Sequence, residues 1–244
     1  MISIKEYCLN IKFRLIDPDK KMPVIFRIIR KILALTGKPS EYLYTLIPYE
    51  PKIMRRKLQG ILKTPKMSTY ANGSIINKIV SHMKKDEAYV NVGVWHGFSL
   101  LAGISGNPDK RCVGIDNFSE FGGPKKEFLE RFNSIKSNQK EFYEMDYVEY
   151  FKNKHNGKIG FYFYDGEHSY ENQLKGLQTA EPFFSDNCII MVDDINWDTA
   201  YKASKDFIAS SKNKYEVLFE KKTISAGHPT FWNGLLIFRK CGKK

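Results

Sequence analysis

Four side chains suited to chemistry fall in two short stretches of this 244-residue chain. Asp165 and His168 lie in FYFYDGEHSY (161–170), and Asp193 and Asp194 lie in MVDD (191–194). Each stretch follows an apolar, strand-like run, so the polar groups arrive where strands end. Three carboxylates gathered at one rim of a sheet repel one another and retain protons unless a cation compensates. A hard divalent ion such as Mg²⁺ suits them, because it takes few carboxylates and fills its shell with water or substrate oxygens. No Cys–His grouping points to zinc. Adjacent residues of a regular strand face opposite ways, so Asp193 and Asp194 serve one site only if the strand stops and turns there. VDD alone reads better as an aspartate pair capping a helix; DGEH beside it favours the metal. A lone histidine is more often structural, but imidazole, with a reference pKa of about 6.5, suits removal of a proton from a hydroxyl. His168 is therefore the candidate catalytic base, and Glu167 is expected to face solvent.

The elements that must position these groups alternate from about residue 71. Helices are expected over 71–85, 98–105, 124–136, 146–153, 171–184 and 198–211. Strands are expected over 88–94, 111–116, 141–145, 158–165 and 188–194, followed by 215–221 and 234–240 without an intervening helix. Strands alternating with helices imply an α/β fold, with a doubly wound, mostly parallel sheet covered on both faces and an antiparallel hairpin at one edge. In such sheets ligands bind beyond the carboxyl ends of the strands. Four strands here end in polar or glycine-rich sequence: NVGVWHG, GIDNF, YFYDGEH and MVDDINW.

In NVGVWHGFS (91–99), Gly93 and Gly97 bracket a tight turn where a ligand can approach the backbone; a plain strand-to-helix turn fits the same spacing. A dinucleotide fingerprint needs GxGxxG, and Trp95 stands at its second glycine, which disfavours a nicotinamide cofactor. Asp116, ending the second strand, suits the two hydroxyls of a ribose. Asp146, in MDY, either accepts from an adenine amino group or caps a helix, and taken alone the cap is the better reading. His96 and Trp95 are candidates for the pocket wall, and Tyr170 either meets substrate or packs.

NVGVWHGFS, GIDNF, MDY and FYFYDGEHSY, in this order of elements, resemble class I S-adenosylmethionine-dependent methyltransferases. DGEHSY followed by MVDD is similar to the metal-dependent, macrocin-type sugar O-methyltransferases. The resemblance spans roughly 71–240 and implies a Rossmann-like sheet of seven strands with the last one reversed. It implies S-adenosylmethionine as cofactor, held by Asn91, Gly93, Trp95, Gly97, Phe98, Ser99, Asp116, Asn117, Asp146, Tyr147 and Asp165. It further implies Asp165, Asp193 and Asp194 as ligands of Mg²⁺ or a similar cation, His168 as base, and a hydroxyl of a sugar, glycan or small diol as acceptor. Asn91 departs from the acidic residue that usually opens the first motif, which removes a charge attraction to the cofactor's ammonium. Loop 222–233 is expected to close over the acceptor. Two alternatives stand beside this reading. One is a metal-independent class I methyltransferase; the other is a non-catalytic protein that binds a membrane or partner through its N-terminal segment.

Composition bounds the rest. Apolar residues make up 42% and aromatic residues 14%, enough for a sizeable core. The net charge of +12 is uneven: residues 1–66 hold 15 Lys/Arg against 5 Asp/Glu, and the remainder holds 24 against 22. The basic character belongs to an N-terminal helical extension (1–66) rather than to the catalytic domain (67–244). That asymmetry, with no NPPY-type base-holding motif, disfavours a nucleic-acid substrate. The stretch VIFRIIRKILAL (24–35) has helical apolar spacing at Ile25, Ile28, Ile29, Ile32 and Leu33, and it is too short to span a bilayer. Packing against the protein or a second subunit is the favoured role, and peripheral contact with the inner face of a membrane is the other. No secretory signal is visible, and Cys112 and Cys188, in strand-like runs, read as buried free thiols of a cytoplasmic protein.

Overall fold

The computed structural model describes residues 2–35, 40–135 and 137–244. The N-terminal segment comprises α1 (Ile4–Leu9), β1 (Lys12–Phe13), α2 (Val24–Leu35), α3 (Glu41–Tyr44), β2 (Thr45–Leu46) and α4 (Lys52–Ile61). The alternating part begins with α5 (Tyr70–His82), β3 (Glu87–Val92), α6 (Phe98–Ile104), β4 (Arg111–Asp116), α7 (Lys125–Ile135) and β5 (Lys140–Glu144). It continues with α8 (Tyr147–Asn153), β6 (Lys158–Tyr164), α9 (Tyr170–Ala180), β7 (Phe184–Asp193), α10 (Asp198–Ser210), β8 (Asn213–Lys221) and β9 (Leu235–Lys243). Every expected strand and helix from residue 71 onward is present, with shifted ends. Lys136, the last residue of the expected helix 124–136, lies outside the described residues.

The seven strands run in the order β5-β4-β3-β6-β7-β9-β8. β3 to β7 are mutually parallel where they pair, and β9 is antiparallel to both β7 and β8. The fold is thus α/β with a seven-stranded, mostly parallel sheet and a reversed last strand. Because strand side chains alternate, two cores form. Tyr89, Phe161, Phe163, Met191 and Ile237 pack with residues of α1, α4, α5, α6 and α7 on one face. Val90, Val92, Tyr162, Tyr164, Ile190 and Val192 pack with α8, α9 and α10 on the other. Covering on both faces explains why β6 is apolar at nearly every position. Each such side chain, fully buried, contributes roughly 1.5–3 kcal/mol.

Helix starts are set by side-chain caps. Thr69 accepts from the Asn72 amide ahead of α5, Asp146 from Val148 and Glu149 ahead of α8, and Ser169 from Asn172 ahead of α9. The basic extension is laid onto α5: Tyr7 and Ser74 hydroxyls meet at 2.6 Å, and Ser74 donates to Glu50. Cys112 and Cys188 are buried free thiols, as expected. α2 packs on this chain through only part of its apolar surface. Phe26 is buried edge-on to Tyr44, 5.0 Å between ring centres, while Ile25, Ile28 and Ile32 are exposed.

Candidate active site

Strand order reverses between β3 and β6, and in open α/β sheets that switch point opens the ligand crevice. Gly93 follows β3 with φ +78, and a Cβ there would sit 1.9 Å from the Asp165 carbonyl oxygen. Only glycine lets the two loops come this close. Beyond them lies a cavity of about 570 Å³, walled by the 92–95 turn, the ends of β4 and β6, and Asp193, Asp194, Trp197 and Trp232.

One side of the cavity carries the residues expected to hold a cofactor. Gly93, Trp95, Phe98, Ser99, Asp116, Asn117, Asp146, Tyr147 and Asp165 all line it. Asn91 and Gly97 are not on its wall. Asn91 is fully buried; its amide donates to the Val92 and Gly93 carbonyls, and its Oδ1 accepts from Ser99 Oγ at 2.8 Å. It latches the turn to α6. Gly97 is the left-handed residue that starts α6, with the Phe128 ring where a Cβ would be. Asp116 Oδ2 accepts from the Val94 and Trp95 amides, and Oδ1 from Phe118, each at 2.7 Å. This carboxylate shapes both neighbouring turns and lines the cavity. Asp146 both caps α8 through Oδ1 and lines the cavity.

The other side gathers the acidic residues. β7 ends at Asp193, and Asp194 adopts φ +55, so the chain turns where two adjacent carboxylates must face one way. His168 Nε2 lies 3.9 Å from Asp165 Oδ1, 3.9 Å from Asp193 Oδ1 and 3.6 Å from Asp194 Oδ2. Ligand atoms of Asp165, His168 and Asp193 all fall within 4.8 Å of one another. Burial, reinforced by the Asp194 charge, pushes the Asp165 carboxyl well above the usual range, although its side chain keeps 36% exposure to the cavity. Burial and the charges of Asp165 and Asp194 push Asp193 up as well. Burial raises Asp194, against the opposing influence of His168 and Asn233. Neither Asp193 Oδ1 nor Asp194 Oδ1, both buried, has a hydrogen-bond partner among the described residues. Crowded carboxylates with orphaned oxygens and a nearby imidazole fit a divalent cation.

Gln173 orients the histidine. It is fully buried, and its Oε1 stands 3.2 Å from His168 Nδ1. This contact fixes the ring so that Nε2 faces the carboxylates. Trp197 meets the ring edge-on at 5.4 Å, and Thr199 Oγ1 donates to the His168 carbonyl at 2.8 Å. Gln173, Trp197 and Asn233 were not foreseen, because nothing in their local sequence marks them. The i, i+5 spacing of His168 and Gln173 across a helix start was the one usable signal. Glu167 is exposed at the rim, where it accepts from Asn172. Tyr170 packs away from the cavity, donating to Asp206 at 2.9 Å, and His96 lies against Trp95 and Arg131. Loop 222–233 supplies Ala226, Gly227, Trp232 and Asn233 to the wall.

Residues 90–195, from β3 to just past β7, match the family model described as a methyltransferase domain. Over this segment the chain is similar to methyltransferase domains. The segment contains both the cofactor-side turn and the acidic cluster. No curated protein matches the chain significantly. Among solved structures, an O-methyltransferase from Bacillus cereus in complex with SAH shares 13% identity at a TM-score of 0.54, covering 80% of this chain and 93% of its own. TomG of Streptomyces achromogenes, an O-methyltransferase of tomaymycin synthesis in complex with SAM, shares 11% at 0.52, covering 81% and 93%. CalS11, a TDP-rhamnose 3'-O-methyltransferase of calicheamicin biosynthesis, shares 16% at 0.53, covering 90% and 96%. At these identities the likeness is one of fold.

Proposed function

We propose that the chain is an S-adenosylmethionine-dependent O-methyltransferase, assisted by a divalent cation and acting on a hydroxyl of a sugar, glycan or small diol. The observation that carries this reading is one cavity with two unlike walls. The first is a close-approach turn with Asp116 and Asp146, suited to a nucleoside and its amino-acid tail. The second is the cluster of Asp165, His168, Asp193 and Asp194. In the reaction the methyl carbon leaves the sulfonium and bonds to the acceptor oxygen, and the acceptor's proton must be removed. His168 Nε2, with Nδ1 held by Gln173, is the group that takes it. A cation held by the carboxylates would acidify such a hydroxyl and fix its orientation. Trp232 and Asn233 with loop 222–233 exclude water from the acceptor side, and positioning supplies much of the rate. The described residues include no helix long and apolar enough to cross a membrane.

The 3.6–3.9 Å spacings favour a second role for His168, as a ligand in the same cluster. The two roles separate cleanly in His168→Gln. As a base, its loss lowers kcat by about 10²–10⁴-fold while Mg²⁺ affinity stays near wild type; as a ligand, its loss weakens Mg²⁺ binding itself. The function is tested by calorimetric titration with S-adenosylmethionine, with and without Mg²⁺. Binding of both is expected, and Asp194→Ala should abolish the Mg²⁺ response while retaining cofactor binding. Cofactor binding with full turnover in chelator would leave a metal-independent methyltransferase, and binding of neither ligand would leave a non-catalytic protein.

A further inference from the structure

α2 turns its most apolar stripe outward. Val24, Ile25, Ile28, Ile32 and Leu35 are 71, 63, 48, 57 and 88% exposed, whereas Phe26 is buried and Ile29 and Leu33 are half-buried. At 100° per residue those five side chains occupy an arc of about 100°, and Arg27, Arg30 and Lys31 fill the adjoining arc. The helix carries no acidic residue. Its three cations, with Lys21, line a groove of about 700 Å³ closed on its far side by Ser225–Gly227. Ala226 and Gly227 also wall the catalytic cavity, so groove and cavity share a partition. Among the described residues, the ion pairs of this region are Lys20–Asp17 and Lys221–Asp19, and none engages the four groove cations.

We propose that α2 docks the protein in the plane of an anionic membrane surface, its aliphatic stripe entering the acyl boundary and lipid phosphates occupying the groove. Twelve residues with three charges are too short and too polar to span a bilayer, but an apolar face bordered by Arg and Lys is the pattern of an interfacial helix. A second copy of this chain fits poorly, because pairing α2 with α2 opposes like charges without an acid to offset them. The stripe is all branched aliphatic, with none of the tryptophan or tyrosine anchors that dominate protein–protein contacts, and this suits a fluid partner. Docking in this way sets lipid headgroups against the wall of the catalytic cavity.

The test is co-sedimentation of the full chain with phosphatidylcholine vesicles and with vesicles of equal phosphatidylcholine and phosphatidylglycerol. Binding to the mixed vesicles should be at least about tenfold tighter than to the neutral ones, by the attraction each basic residue adds. Ile28→Glu with Ile32→Glu, at positions already exposed, should remove most of that binding, as should Arg27→Gln with Arg30→Gln and Lys31→Gln. Unchanged circular dichroism and S-adenosylmethionine affinity would show that these variants fold. No binding of the wild-type chain to mixed vesicles overturns the proposal, and so does wild-type binding by the isoleucine double variant, which would be charge adsorption alone. A dimer in light scattering that Ile28→Glu dissolves overturns it in favour of a second copy. Failure of the wild-type chain to bind S-adenosylmethionine would instead count against the methyltransferase reading and leave its vesicle result standing, with circular dichroism then reporting the folding of the variants.

Discussion

Two side chains carry most of the local argument. Gly93 sits where β3 turns, with the Asp165 carbonyl 1.9 Å from any Cβ placed there and a left-handed φ of +78. Gly93→Ala should therefore cost roughly 3 kcal/mol or more in urea unfolding and abolish cofactor binding, because the 92–95 and 164–166 turns must separate. Asp193 is the most enclosed carboxylate of the cluster, 4% exposed, with one oxygen unpartnered. Asp193→Asn removes a buried repulsion and should raise the stability of the metal-free protein by on the order of 1 kcal/mol, about 2–4 °C for a chain of this size. The same variant should lose its response to Mg²⁺. A fall in the melting temperature of metal-free Asp193→Asn would show that the cluster is not strained by charge.

At the scale of elements, the β3–α6 turn is held by one side chain off the cavity wall, Asn91, and one on it, Asp116. Asn91 couples the strand to Ser99 in α6, and Asp116 ties β4 to the amides of Val94 and Trp95. Asn91→Ala leaves Ser99 Oγ without its buried acceptor and should cost about 1–3 kcal/mol of stability. If Asn91 acts only as this latch, cofactor affinity in the folded variant drops less than tenfold; a loss of a hundredfold would place its amide on the cofactor instead. The pair β7–α10 works by a different device. Asp194 in the left-handed region ends the strand and turns both aspartates to His168, and the Trp197 amide then bonds back to the Asp194 carbonyl at 2.9 Å as α10 begins.

For the whole molecule, the clustered carboxylates tie stability to pH. Asp165, Asp193 and Asp194 are all raised above the usual range in the fold, so the folded protein keeps protons that the unfolded chain releases. That stabilisation is complete below about pH 4, the ordinary carboxylate range, and is lost as pH rises through the raised values. The melting temperature of the metal-free protein should accordingly gain least from these groups near neutral pH. Mg²⁺ competes with those protons, so its stabilising effect should grow as pH rises, reaching about 2.7 kcal/mol at a hundredfold excess over Kd. A Mg²⁺ effect in calorimetric melting that is equal at pH 5 and pH 8 would contradict a cation on these carboxylates.

The order of elements, the parallel sheet with its reversed last strand, and the placing of DGEH and VDD at strand ends were legible in the sequence. Periodicity and strand-end composition are local, and the alternation of β and α leaves few ways to cover both faces of a sheet. Convergence was not legible. That Asp193 and Asp194 face one point depends on a single left-handed residue, and that Gln173 holds His168 depends on how α9 lies against β6. Asn91, read as a ligand of the cofactor, also latches the turn, because α6 brings Ser99 to its side chain. The apolar stripe of α2 was visible in sequence as a helix face, but periodicity alone cannot say whether a face meets a core or remains outside. Only the packing of Phe26, with Ile25, Ile28 and Ile32 left exposed, decided that.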